Sequence, residues 1–522
     1  MRGRTSGRLL TVVRVLGELA AQEAGRVPAR TGQAGTEADG CSSGVADGFV
    51  SAGALRRARA ARAALERLGP LYVKVGQVLA TRPDMVPAHV RAEFQKLNDR
   101  VPAQPFATFA PVLEANLGPR WERMFDDVDV TSPLGAASLA QVHRVTLRGG
   151  APGVVKIQRP GIRGVVRADM ALLRRAAWLT ARGAPRFNEV VDVRAILANV
   201  FDAMEAELDF TKEAANMERA RASVGRFPHL EIPEVVAATP GVLVQSLAPG
   251  GSVARVDREE LSPEHREAIA RELAAFMGRG YFIDRFYHAD PHPGNVFVTP
   301  DGPATLLDWG MVGRVDQQTS IRMLLLLMAV GQNDGHGLAK VWAEMGRSTP
   351  WTDLPAFCAD MAALVPKLAS ASMAELNFGV AFSAVLEKAA RRGIASAPTV
   401  GLIGKSLVNL EGSVRLLAPH LTFSDLFESE VHGIVLHVLR EMISPQHTAR
   451  RALESLLAYS MAGEQLRADP HGLADRALFP PPGPAHRGIP VPPVRPGGRQ
   501  HALLACGALA LWAVHRRASK LR

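Results

Sequence analysis

Two short stretches of the 522-residue chain carry side chains that could do chemistry together. The first is His288-Ala289-Asp290-Pro291-His292-Pro293-Gly294-Asn295, and the second is Leu306-Leu307-Asp308-Trp309-Gly310. An Asp, an Asn five residues later and a second Asp just before a Gly are the set that phosphoryl transfer from a nucleoside triphosphate requires. One carboxylate faces the terminal phosphate and its acceptor, while the Asn and the other carboxylate hold the metal ions that screen phosphate charge. Asp-Pro and Pro-Gly-Asn are also ordinary turn chemistry. Turns alone would not supply both acidic pieces in order, with an apolar strand-like run at Val296-Phe297-Val298 and a second at Leu306-Leu307.

Protein kinases write these pieces as H-R-D-x-x-x-x-N and D-F-G; here they read H-A-D-x-x-x-x-N and D-W-G. Such a cleft also needs a lysine on a strand to meet the α- and β-phosphates. Gly153-Val154-Val155-Lys156-Ile157 supplies one, flanked by β-branched residues. A small-residue turn at Pro133-Leu134-Gly135-Ala136-Ala137-Ser138 precedes it, and the run from Leu139 to Leu147 reads as a strand leading toward Lys156. Methyl groups restrict the backbone more than the bare glycines of a kinase Gly-rich loop, so the turn should be the stiffer of the two.

The ordered combination resembles one family closely: the UbiB-type atypical kinases, also called ADCK or aarF-domain kinases. Lys74-Val75-Gly76-Gln77 looks like the family's K-x-G-Q signature, and Pro133 to His143 like its Ala-rich loop. Lys156 to Gly161 looks like its nucleotide-lysine segment. Glu207-Leu208-Asp209 matches E-x-D, with Glu213-Ala214-Ala215-Asn216 just after it. The resemblance spans about residues 54 to 440. It departs at Gly135, where the family usually has Ala, and at Ala140, where it usually has Gly.

The resemblance implies an α+β, protein-kinase-like bilobal fold, with a small β-containing lobe, a large helical lobe and an N-terminal helical extension. It implies a cleft for ATP and Mg²⁺, with Asp290 and Lys156 catalytic and Asn295 and Asp308 on the metal. Gly135, Ala136, Ala137 and Ser138 would face the nucleotide. Val242 to Leu247 would be the hinge strand, meeting adenine near Gln245. Glu213 is the implied ion-pair partner of Lys156; helical spacing alone leaves Glu205, Glu207 and Asp209 as rivals, because residues four apart share a face. Lys74 and Gln77, three apart on a helix, would meet the E-x-D acids, with Lys74 on Glu207 or Asp209 and a protein acceptor shut out. The implied activity is ATP hydrolysis, or phosphorylation of a small or lipid acceptor, in support of isoprenoid-quinone biosynthesis. Quinone precursors and biosynthetic enzymes are then the implied partners. A small-molecule kinase of the aminoglycoside or choline type shares H-x-D-x-x-x-x-N but would not need Lys74 to Gln77. A nucleotide-gated, lipid-binding scaffold without catalysis is a third reading, opposed by the intact Lys156, Asp290, Asn295 and Asp308.

The remaining sequence sets the surroundings. Hydrophobic content of 47% is ample for packed cores. Three cysteines, Cys41, Cys358 and Cys506, form no C-x-x-C or His cluster, which argues against a disulfide framework or a zinc site. His288 and His292 sit beside prolines and read as loop structure around Asp290. The net charge of +10 is uneven: seven Arg/Lys and no acid follow Ala485, and Arg2, Arg4, Arg8 and Arg14 punctuate the apolar residues Leu9, Val12, Val13 and Leu16. No nucleic-acid module accompanies these charges, so anionic membrane lipid is the expected partner. Ala502 to Val514 is uninterruptedly apolar or small but reaches only about 20 Å as a helix, short of the ~30 Å hydrocarbon core. The expected placement is membrane-associated, with the catalytic domain on the cytoplasmic side of a bacterial inner membrane. The expected order is a basic helix (1–24), a linker (25–53), the extension (54–130), the small lobe with a helical insert (131–248) and the large lobe (249–470). A Pro-rich spacer (479–500) and an apolar, basic tail (501–522) follow.

Overall fold

The computed structural model describes residues 51–80, 86–97, 101–183, 193–349, 351–370, 378–421 and 423–445, with single positions near either end, among them Arg8, Val12 and Val15. The Pro-rich spacer and the tail with Ala502 to Val514 lie outside the described residues. No described helix is long and apolar enough to cross a membrane.

The extension opens with α1 (Ala52–Leu68), α2 (Pro70–Ala80) and α3 (Ala88–Phe94). Its Ala/Leu/Arg sequence favours helix. Ser51 caps α1 by accepting from the Ala54 N–H, so the helix starts two residues before the expected boundary. Gly69, at φ 103°, ends it and returns its N–H to the Leu65 carbonyl, and Pro70 then starts α2. Gly76 is a steric requirement: a Cβ there would lie 2.3 Å from Leu97 Cδ1 and 2.7 Å from Leu65 Cδ1.

The small lobe is an antiparallel sheet in the order β1-β3-β4-β7-β6, formed by β1 (Phe125–Val128), β3 (Ala140–Leu147), β4 (Pro152–Gln158), β6 (Val235–Ala238) and β7 (Val242–Ser246). The two-residue β2 (Gly135–Ala136) pairs back on β3, so the small-residue turn is the tip of a hairpin. Strand β1 falls inside the span expected to be helical; its Phe-Asp-Asp-Val carries two exposed acids and shows no alternating apolar signal. Helix α4 (Ala110–Leu117) covers one face of the sheet. There Phe109 and Leu113 pack with Val155, Ile157, Val242 and Val244. Strand periodicity turns the alternate residues, Val154 and Lys156 on β4 with Leu243 and Gln245 opposite them on β7, to the other face.

Between β4 and β6 run α5 (Ile162–Gly183), α6 (Val193–Glu207) and α7 (Phe210–Val224), with the short β5 (Leu230–Glu231) after them. Helices α5 and α6 pack with α1 and α2 in one cluster built on Leu68, Leu71, Met170, Phe201 and Met204. Val12 and Val15 are buried in the same cluster, and Arg8 makes a two-pronged ion pair at 2.7 and 2.8 Å with Asp169 of α5. This corrects the reading of the basic N-terminal segment as a lipid-facing helix: its described apolar residues are covered by the protein itself.

In the large lobe, α8 (Pro263–Phe282) packs against α13 (Pro398–Leu417) and α14 (Phe423–Met442). Four short strands, β8 (Gly251–Ser252), β9 (Phe286–His288), β10 (Val296–Val298) and β11 (Ala304–Leu306), frame the acidic motifs, and β12 (Val312–Arg314) pairs with β9. Helices α9 (Gln317–Gly331), α10 (Gly335–Met345), α11 (Leu354–Ser370) and α12 (Phe378–Arg391) complete the lobe, with β13 (Gly346–Ser348) pairing β14 (Ile394–Ser396).

Candidate active site

The β4 lysine and the first turn of α7 meet at the cleft. Lys156 Nζ donates to both Glu213 oxygens, at 2.9 and 2.8 Å, and lies 3.7 Å from Asp308 Oδ1. Its ammonium also sits 5.1 Å over the Phe210 ring. Burial alone would push the ammonium down, but Glu213 and Asp308 outweigh it and hold Lys156 above its ordinary value. The same charge holds the Asp308 carboxyl below its ordinary value. Burial holds Glu213 above its own, with Lys156 pulling against it.

The rivals of Glu213 have other work. The helix breaks after Glu207, and Asp209, in extended conformation, caps α7 by accepting from the Thr211 N–H, so Asp209 and Glu213 share no continuous helical face. Glu205 pairs with Arg167 at the surface. Glu207 takes the Lys74 ammonium, while Gln77, one turn on, is half-buried. Lys74 and Glu207 both act through space on the Lys156–Asp308 pair. Two cations and three carboxylates therefore alternate at one end of the cleft.

Neighbours in the lysine segment hold the surrounding backbone. Gln158 donates to the carbonyls of Leu208 and Pro240, fixing the break between α6 and α7. Arg159 donates to the carbonyls of Ala137 and Pro102, pinning the hairpin tip beside Ser138. Gly135 has an ordinary φ and empty space where a Cβ would stand, so its departure from the family pattern answers no steric need. Gln245 has β4 on one side and β6 on the other, and its half-buried side chain shares the Lys156 face. The strand leaves this sheet only after Ser246, so unpaired main chain for a base begins beyond Gln245.

The acidic motifs are tied together by His288. Its Nε2 donates to the Leu307 carbonyl at 2.9 Å and its Nδ1 accepts from the Asp290 N–H at 3.0 Å, which fixes a neutral ring between the two loops. Asn295 donates its amide to the Asp290 carbonyl at 3.1 Å, and its own carbonyl accepts from the Leu307 N–H at 2.8 Å. Asn295 and Asp308 thus leave the β10–β11 ladder side by side. Asp308 sits at φ 60°, a conformation that Asp tolerates better than most residues, and its side chain is 57% exposed to the cleft. Trp309 Nε1 donates to the Leu306 carbonyl, and the Trp309 carbonyl accepts from Asn216, three residues after Glu213 on α7. His292 accepts from the Gly294 N–H within its own loop.

An Asn amide oxygen and an ionised carboxylate are hard oxygen donors suited to Mg²⁺, which keeps waters and phosphate oxygens in its shell. Among the described residues no group of three or more His, Cys, Asp or Glu could hold a metal without such help. Asp290 itself is engaged: Lys405 Nζ donates to its Oδ2 at 2.8 Å, and Asn409 donates to its Oδ1. Nothing in the motifs pointed to this pair. The available signal was two polar residues one turn apart on an otherwise apolar helix.

The neutral His288 gives a pH prediction. Burial depresses its proton affinity from the ordinary 6.5, so the folded ring stays neutral while the unfolded one protonates. Its contribution is fully present above pH 6.5 and is lost as pH falls through the depressed value. Chemical denaturation should show unfolding free energy falling from pH 6.5 to about 5, at up to ~1.4 kcal/mol per unit from this group. His288→Gln should be less stable at neutrality and show a flatter slope; an unchanged slope refutes the assignment.

Residues 96–342 match the family described as the ABC1 atypical kinase-like domain. A "Probable protein kinase UbiB" of Marinobacter nauticus is 31% identical over 70% of this chain and 68% of its own. The protein of the same description from Aeromonas salmonicida is 32% identical, with 70% and 68% covered. Among solved structures, the Rv3197–erythromycin complex from Mycobacterium tuberculosis aligns at 25% identity and a TM-score of 0.41, covering 51% of this chain and 67% of that one.

Proposed function

This chain belongs to the UbiB group of ABC1 atypical kinase-like proteins, and from that premise we propose that it binds Mg²⁺-ATP between its lobes and passes the terminal phosphate to water or to a small or lipid hydroxyl. The observation that carries the reading is Lys156, held by Glu213 at 2.8 Å and facing Asp308 at 3.7 Å. That arrangement presents a fixed cation to the α- and β-phosphates and a fixed anion to the metal side. Mg²⁺ on Asn295 and Asp308 would screen the charge that develops on the transferred group. Asp290, set by the loop from His288, orients the attacking oxygen. Rate enhancement on this scheme is mostly positioning and electrostatic stabilisation.

Lys74 gives the reason to favour water or a small acceptor over a protein. Its pair with Glu207 ties α2 to the end of α6, beside the phosphate cation, and closes the side from which a peptide would enter. Lys74→Ala should weaken MgATP binding about tenfold (~1.4 kcal/mol), because it removes a nearby cation and leaves Glu207 unpaired. It should also allow phosphate transfer to protein, read as label incorporated into the enzyme or an added protein. If the variant changes neither, α2 does not guard the cleft.

The setting we propose is the membrane, in isoprenoid-quinone biosynthesis, as the family resemblance implies. The test is ATP hydrolysis with and without anionic liposomes and quinone-precursor phenols. Lipid- or phenol-stimulated turnover supports this reading; tight ATP binding without turnover under any condition overturns it in favour of a scaffold.

A further inference from the structure

Asp290 is held by a single helix that carries none of the sequence motifs. Lys405 and Asn409 stand one turn apart on α13 and take one oxygen each of its carboxylate. Between and beyond them, Ser406 donates to the His288 carbonyl at 2.6 Å and Ser413 donates to the Pro291 carbonyl at 2.7 Å. Ser406 also meets the Tyr281 hydroxyl of α8 at 2.8 Å. Helix α13 therefore grips both the main chain and the side chain of the loop. Ser406 and Ser413 are sealed from solvent, whereas Lys405 and Asp290 keep 28% and 25% of their side chains exposed. The buried contacts fix the loop; the accessible one sits where a ligand reaches it.

We infer that Lys405 and Asn409 are positioning residues for Asp290, and that Lys405 also neutralises its charge toward the terminal phosphate. The inference rests on the proposed reading of Asp290 as the residue at the terminal-phosphate end. With both oxygens already accepting, the carboxylate is a poor proton acceptor and orients the incoming oxygen by its field. Without Lys405, the same carboxylate is an unpaired anion facing a tetra-anionic nucleotide. ADP, lacking the third phosphate, does not meet it.

The experiment is a double-mutant cycle on the full chain with Lys405→Met, Asp290→Asn and the pair combined, reading kcat, KM and the affinities for ATP and ADP. Lys405→Met should lower kcat about thirtyfold and the ATP-to-ADP affinity ratio about fivefold, with ADP affinity unchanged. In the Asp290→Asn background the same change should matter less than about threefold, because a residue acting through Asp290 has nothing left to act on. Asn409→Ala should lower kcat about fivefold without altering ADP affinity; it also covers the case in which Lys405→Met does not fold. Additive effects in the cycle, equal losses of ATP and ADP affinity, or wild-type values in both single variants overturn the inference. Absence of turnover in the unmodified protein would instead count against the proposed function, and the affinity ratio would still decide the role of Lys405.

Discussion

Asp308→Asn is expected to lower ATP turnover by at least about 10²- to 10³-fold, equivalent to ~3–4 kcal/mol of lost electrostatic stabilisation. The substitution is unusually clean. Asp308 sits at φ 60°, where Asn is among the few residues as tolerant as Asp, and its side chain opens to the cleft, so the fold has no reason to move. The Lys156–Glu213 pair remains, since its 2.8 and 2.9 Å contacts do not involve Asp308. What disappears is the anion on the metal side. ATP binding should therefore lose its dependence on Mg²⁺ while the melting temperature stays within a degree or two of wild type, about the precision at which a surface change is read. Titration calorimetry with and without Mg²⁺, beside a turnover assay, checks both halves. Turnover within tenfold of wild type would remove Asp308 from the chemistry.

The second large effect is on stability. Trp309→Ala should cost about 3–5 kcal/mol, the range for emptying a buried aromatic site. The side chain is 1% exposed, stacks on Phe286 with ring centres 6.2 Å apart, and meets the edges of His288 and Phe276. Trp309→Phe keeps most of the apolar contact but deprives the Leu306 carbonyl of its donor, which predicts a smaller loss of about 1–3 kcal/mol. Urea denaturation of the three proteins should give that order. A Phe variant as unstable as the Ala variant would mean that the indole N–H, and not the packing, secures the D-W-G turn.

The parts of the cleft legible in the sequence are those where chemistry and chain order coincide. Lys156 shows because a phosphate-binding lysine needs a strand, and β-branched neighbours write that strand. Asp290, Asn295 and Asp308 show because a hairpin brings them together within twenty residues. Their surroundings lie far along the chain: Lys405 and Asn409 are 115 and 119 residues from Asp290. Helix α13 reads as an ordinary amphipathic element, and no local pattern says which loop it will meet. Strand β1 was hidden for a different reason, since its acids interrupt the alternation that marks a half-buried strand. At the break between α6 and α7 the local rule misled: Asp209 and Glu213 are four apart, but a cap stands between them in place of a helical turn.

The N-terminal contact carries a consequence for synthesis. Arg8 leaves the ribosome 161 residues ahead of Asp169, the group it finally grips. Until α5 has been made, Val12 and Val15 have no cluster to enter, and the segment waits as an uncovered, positively charged thread. A shortened product lacking those first turns would strand a carboxylate that is 1% exposed among apolar side chains, and burial already pushes that carboxyl up with Arg8 in place. Such a product would finish its catalytic lobes yet carry an unfilled socket on the extension that bears Lys74, so truncation at the far edge would be felt at the phosphate end.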